Sequence, residues 1–187
     1  ESVANAYLNT VLQTIDCSKR LNIPILNMHM ATGVYFTLPD RRVYLFDEYK
    51  DYYFDKLKQF RDVCTKAVGD SGIKICIENS DGYKSFMQEG IKILLESDVF
   101  ALTWDIGHDH GSNNVDTDFI LENADKVVHM HIHDAIGTKN HLVLGSGEIN
   151  IAEKINFARE HNCCCVIETK TINGLIDSVS FLEKYIL

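Results

Sequence analysis

No run of apolar residues in this chain approaches the ~20 that a membrane-spanning helix needs, and no signal peptide opens it. No membrane association is therefore expected, and the cytoplasm is the default location. Basic residues are also scarce: 18 Lys and Arg stand against 27 Asp and Glu, a net charge of −9, with no basic face in the sequence. A protein that neutralises many phosphates carries such a face, so this balance speaks against a nucleic-acid partner. It suits a cation site, whose carboxylates need a positive partner. The six cysteines (Cys17, Cys64, Cys76, Cys163, Cys164 and Cys165) contain no CxxC or zinc-finger spacing. They read as small buried hydrophobes in a reducing compartment rather than as a disulfide framework or a structural zinc site. Internal repeats, linkers and low-complexity tracts are missing too.

What is present reads as one domain over residues 1–187, with an apolar share of 45% and a charged share of 24%. Val3, Tyr7, Leu8, Val11, Leu12 and Ile15 recur at helical spacing, and Asn22 with Pro24 ends that helix. Helices are also expected over Asp47–Val68, Tyr83–Glu96, Thr117–Asn123, Ile151–His161 and Leu175–Tyr185. Between them lie five apolar segments, Ile23–Met28, Ile73–Ile77, Val99–Trp104, Lys126–His131 and Cys163–Ile167. Their near-continuous Ile, Val and Leu content marks a parallel sheet covered on both faces. Strand and helix alternate throughout, which predicts an α/β barrel. A complete (β/α)8 barrel needs about 250 residues, seldom fewer than ~200. Five strands in a chain that opens with Glu1 suggest an incomplete barrel whose N-terminal part, three strands, is missing.

Each apolar segment is followed by a residue able to bind a metal: His29, Glu78, Asp105, His131 and Glu168. In a parallel barrel the strand C-termini converge on one face, so residues far apart in sequence meet there. Such a His, Glu, Asp, His, Glu set is a first shell for a divalent cation. The connection ATGVYFTLPDRRVYLFDEY, too long for a routine turn, is expected to form a lid or a substrate wall. The glycines Gly145 and Gly147 of LGSGEIN are expected to shape a loop at the mouth of the site, or a plain turn before the next helix.

The segments ICIEN, TWDIGH, HIHD followed by HLVLGSGEI, and VIET occur in that order at strand-sized spacing. Together they resemble the signature segments of the xylose isomerase-like barrel superfamily. That group includes sugar and sugar-phosphate isomerases and epimerases, endonuclease IV-type abasic-site nucleases and some dehydratases. The resemblance covers about Ile23 to Glu168.

It implies a metal site built from Glu78, Asp105, His131 and Glu168, loaded with Mn, Zn, Mg or Co. It also implies proton transfer by Glu78 and Glu168 next to a carbonyl, with the metal as Lewis acid. His108 would hydrogen-bond a substrate oxygen, and Lys139 would contact an anionic or hydroxyl group. His29, His108 and His141 match positions that hold further metal ions in the nucleases. There the pattern also wants an Asp two positions before His141, where this chain has Lys139. His110, His129 and His133 read as polar filler or support around the ligands.

The resemblance thus implies a metal-dependent sugar or sugar-phosphate isomerase/epimerase, with a small-molecule sugar as partner and homo-oligomer formation left open. The alternatives are an abasic-site DNA endonuclease with several zinc ions, and an inactive barrel fragment or subunit.

Overall fold

The computed structural model describes residues 2–186. Among the described residues nine strands form in chain order: β1 (Ile25–His29), β2 (Tyr35–Thr37), β3 (Arg42–Tyr44), β4 (Lys74–Glu78), β5 (Phe100–Asp105), β6 (Val127–Ile132), β7 (Asp134–Ile136), β8 (Lys139–Leu142) and β9 (Cys164–Ile167). The helices are α1 (Ser2–Leu21), α2 (Leu45–Glu48), α3 (Lys50–Val68), α4 (Ser85–Leu95), α5 (Ile106–Gly111), α6 (Thr117–Glu122), α7 (Ile151–Glu160) and α8 (Ile172–Ile186). Strands β1, β4, β5, β6 and β9 make one sheet in that order, and β2–β3 and β7–β8 are separate hairpins. Sheet neighbours thus follow chain order with helices between them, as expected from the alternating pattern. Two compact units divide the chain: Glu1–Ile77 with Lys84–Ala101, and Glu78–Tyr83 with Leu102–Leu187.

In the first unit, α3 and α4 pack together over Cys64, Val68, Phe86, Ile91 and Leu94, all almost fully buried. Gly90 permits the close approach, because a Cβ there would lie 2.7 Å from Leu57 Cδ1. The long connection after β1 is not a structureless loop. It folds into the antiparallel β2–β3 hairpin, with Tyr35 opposite Tyr44 and Phe36 opposite Val43, and Leu38 N–H donates to Arg41 O across the turn. Alternating aromatic and β-branched residues favour that pairing, which length alone does not disclose.

In the second unit β5, β6 and β9 pair in parallel, with Asp105 opposite His131 and His131 opposite Val166. Its core holds Trp104, Phe119, Ile120, Met130 and Ile132. The expectation of buried cysteines fails at Cys17, which is exposed, and at and just before β9. Cys164 and Cys165 are exposed and Cys163 is partly so, whereas Cys64 and Cys76 are buried. β9 ends the strand order and pairs, among the described residues, with β6 alone, so its run of apolar side chains lacks the cover an inner strand receives. All six cysteines are free thiols. No helix among the described residues is long and apolar enough to cross a membrane.

The LGSGEIN segment forms a packed turn. The Asp134 carboxylate accepts from the N–H groups of Gly147 (2.8 Å) and Ile149 (3.1 Å), and Glu148 N–H donates to Ala135 O. Gly147 must lack a side chain, since a Cβ would sit 2.3 Å from Asp134 Oδ1 and from Ala135 O. Gly145 adopts φ +79°, and a Cβ there would meet Phe181 at 2.1 Å. Both glycines are therefore accounted for by packing within the fold.

Candidate metal centre

Glu78 is the last residue of β4 and Asp105 the last of β5, while His131 is the penultimate residue of β6 and Glu168 directly follows β9. Parallel register sets Asp105 opposite His131, and Ile167, the residue before Glu168, opposite Ile132. His131 Nδ1 lies 3.0 Å from Glu78 Oε1, 3.3 Å from Glu168 Oε1 and 3.6 Å from Asp105 Oδ2. Glu78, Asp105 and His131 are buried, and Glu168 is about one-third exposed. All four belong to the second unit.

A single ring N–H cannot serve three carboxylates. Even with His131 protonated, two of the three carboxylate charges have no counter-charge among the four residues. A buried excess of negative charge is costly unless a cation neutralises it. Glu78, Asp105 and His131 offer ligand atoms within 4.8 Å of one another, as do Asp105, His133 and Glu168, and such carboxylate–imidazole sets match the ligand chemistry of Mn, Mg, Co or Zn. The residues therefore fit a divalent ion.

The electrostatics show the same imbalance. Burial alone lowers the His131 pKa, but hydrogen bonds to Asp105 and Glu78 and the charges of Glu78 and Glu168 outweigh it and raise it to about 10. Burial pushes Asp105 upward, yet hydrogen bonds from His131 and His133 hold its carboxyl well below the usual range. His129, whose Nδ1 lies 3.1 Å from Thr103 Oγ1, is shifted down by burial and by neighbouring His131.

Asn79 clamps the Asp105 backbone from both sides. Its Nδ2 donates to Asp105 O at 3.0 Å, and its Oδ1 accepts from Asp105 N–H at 2.8 Å. Asp105 Oδ1 in turn caps α5 by accepting from His108 N–H at 2.7 Å. This helix is six residues long, Ile106–Gly111. Beyond it, His108, His133 and His141 each offer a nitrogen within 4.8 Å of the others. The His133 and His141 rings stack at 4.2 Å, and His108 lies edge-on to His141 at 5.4 Å. His141 is shifted down, chiefly by burial and then by His133.

Of the remaining candidates, Lys139 opens β8 with an exposed side chain. His29 ends β1 in the first unit and is exposed; it joins none of the potential ligand groups among the described residues. His110 pairs with Glu148 at 3.1 Å. Asn79 was not among the expected site residues, and His133 was expected as polar filler or support around the ligands. The adjacency of Asn79 to Glu78 in ICIEN was the available signal for the first.

A family model described as a xylose isomerase-like TIM barrel matches residues 1–185. An uncharacterized protein of Methanocaldococcus jannaschii is 34% identical over 109 residues, 56% of this chain and 43% of that relative. The match thus spans less than half of that relative's length. Among solved structures, a D-tagatose 3-epimerase-like protein superposes with a TM-score of 0.75 at 23% identity, covering 100% of this chain and 70% of that one. The IOLI protein with a binding zinc atom does so with a TM-score of 0.68 at 14% identity, covering 98% and 69%. At those identities the likeness speaks for the fold: α/β, with five strands of a barrel that has eight when complete. The chain belongs to the xylose isomerase-like TIM barrel family.

Proposed function

We propose that this chain is the metal- and substrate-holding part of a metal-dependent sugar or sugar-phosphate isomerase/epimerase, and that residues 1–187 act as one partial xylose isomerase-like domain. The observation that carries the reading is the convergence of Glu78, Asp105 and Glu168 on one nitrogen of His131. These four residues would hold the ion. A divalent ion there supplies Lewis-acid polarisation of substrate oxygens. The zinc atom bound to the IOLI protein and the likeness to a D-tagatose 3-epimerase-like protein support the choice.

Glu78 ends β4 and Glu168 directly follows β9, strands separated in the sheet by β5 and β6, so the two carboxylates would approach the site from two sides. One carboxylate takes the proton from the carbon beside the carbonyl, and the other, protonated, returns one. Asp105 and His131 keep the ligand geometry fixed. His108, whose Nε2 lies 4.0 Å from Asp105 Oδ2, is assigned to a substrate hydroxyl as donor. Lys139, exposed on β8, is assigned to an outlying hydroxyl or phosphate.

A second reading, an abasic-site endonuclease with several zinc ions, is favoured by the approach of His108 to His141. Lys139 and the net charge of −9 oppose it.

The test is solvent deuterium exchange into ketoses such as D-tagatose and into ketose phosphates, with Mn²⁺ or Zn²⁺ added. Glu168→Gln should cut exchange by about 10²–10⁴-fold, the usual worth of a general base, and leave the fold intact. Glu78→Gln should do the same with weaker metal binding. Wild-type cleavage of abasic DNA without any sugar exchange would hand the assignment to the nuclease reading.

A further inference from the structure

His133 is fully buried, and both of its ring nitrogens are engaged. The backbone N–H of His141 donates to His133 Nδ1 at 2.8 Å. A backbone amide can only donate, so Nδ1 carries a lone pair and the ring proton sits on Nε2. That nitrogen lies 3.0 Å from Asp105 Oδ1 and 3.2 Å from Oδ2. His133 therefore donates to the carboxylate assigned above as a metal ligand, and receives from the residue that stacks on it. To bind an ion through Nε2, the ring would have to become an imidazolate or release His141.

We infer that His133 is a positioning residue and not a ligand: it fixes the carboxylate plane of Asp105 and ties His141 to it. The His108, His133 and His141 group is then not a three-histidine cation site. This rests on reading Asp105 as a ligand of the main centre.

Two features of the backbone serve the arrangement. Gly107 lies directly against the ring, and a Cβ there would fall 1.9 Å from His133 Cε1 and 2.2 Å from Nδ1. His141 has φ +55°, a left-handed conformation uncommon outside glycine, and the bond from its N–H to His133 holds it there. The HIHD segment thus supplies a ligand at His131 and, two residues on, the histidine that orients a different ligand.

The experiment has two arms. In the first, long-range ¹H–¹⁵N correlation on the metal-free, ¹⁵N-labelled protein reads the tautomer of His133. Protonated Nε2 with unprotonated Nδ1 is expected, and the reverse pattern overturns the inference without reference to any metal. In the second, Zn²⁺ and Mn²⁺ are titrated calorimetrically into wild type, His133→Asn, His133→Phe and Gly107→Ala. Folding of each is checked by circular dichroism.

Asparagine can donate and accept in place of both ring nitrogens, so His133→Asn should keep most of the affinity. His133→Phe and Gly107→Ala should lose about 10–100-fold with the ion count unchanged. Loss of one bound ion per chain in His133→Asn would make His133 a ligand and overturn the inference. A wild type that binds neither ion, with the expected tautomer in place, would instead remove the metal centre on which the second arm depends.

Discussion

Two buried aspartates four residues apart, Asp105 and Asp109, have opposite surroundings. Asp109 is 1% exposed and accepts from Trp104 Nε1 at 3.0 Å, Thr117 Oγ1 at 2.6 Å and Asp116 N–H at 3.2 Å. Every one of those donors is neutral and fixed by secondary structure. The Lys154 ammonium sits 4.1 Å from the centroid of the Trp104 ring, on the far partner of the same network. Asp105 is fully buried too, but its carboxylate shares a titratable imidazole with Glu78 and Glu168. Neutral donors surround the first carboxylate, whereas the second, besides the His108 N–H and the His133 ring, faces two further carboxylates across one imidazole. Burial of a carboxylate therefore says little by itself. What separates a structural aspartate from a ligand is whether its neighbours already complete it.

The sharpest way to break that contrast is to remove each carboxylate. Asp109→Ala strands two buried donors, each worth about 1–3 kcal/mol when unsatisfied, and the part-buried Thr117 hydroxyl, and should destabilise the chain by roughly 3 kcal/mol. That is a fall in Tm of about 6–12 °C, with metal affinity unchanged. Asp105→Asn keeps the cap on α5 but removes one negative charge from the crowded group. It should cost little stability and at least about 10²-fold in metal affinity. Equal stability losses for the two variants would erase the distinction.

A smaller effect is expected from the ion itself. Mn²⁺ or Zn²⁺ at about 100 times its Kd should stabilise the fold by ~2.7 kcal/mol, and a chelator should reverse it. Thermal melts with and without chelator measure this. Identical melts with every divalent ion tried would leave the excess acceptors without a purpose.

A further expectation concerns pH. His131 has its pKa raised from 6.5 to about 10 in the folded, metal-free chain, so the fold binds that proton more tightly than the unfolded chain does. Its contribution to stability is complete below about 6.5 and is lost as pH rises through about 10. Ligation through Nδ1 displaces the proton, so the metal-bound form should lack this decline. Denaturant midpoints across that range, with and without metal, test the difference. A flat metal-free profile would sink the account of His131.

Much of the architecture was readable from residue order. The five sheet strands and the helices between them were expected within a few residues of where they form, because hydrophobic periodicity reports burial directly. The misses share a cause. The β2–β3 hairpin and α5 are short and polar or aromatic, and are held by contacts that no local period encodes. The exposure of Cys164 and Cys165 depends on β9 ending the strand order, which composition does not reveal.

The identities and order of Glu78, Asp105, His131 and Glu168 were fixed by sequence alone, as was their place at strand ends, because parallel strands deliver their C-termini to one side. Their convergence on a single nitrogen was decided by tertiary structure, through the register of β5, β6 and β9. So was the role of His133. Alternation along β6 places a histidine beyond the strand end, but the approach of Gly107 and the His141 N–H settles which nitrogen carries its proton. Periodicity reports which residues are buried; hydrogen-bond direction depends on distances between segments that are remote in the chain.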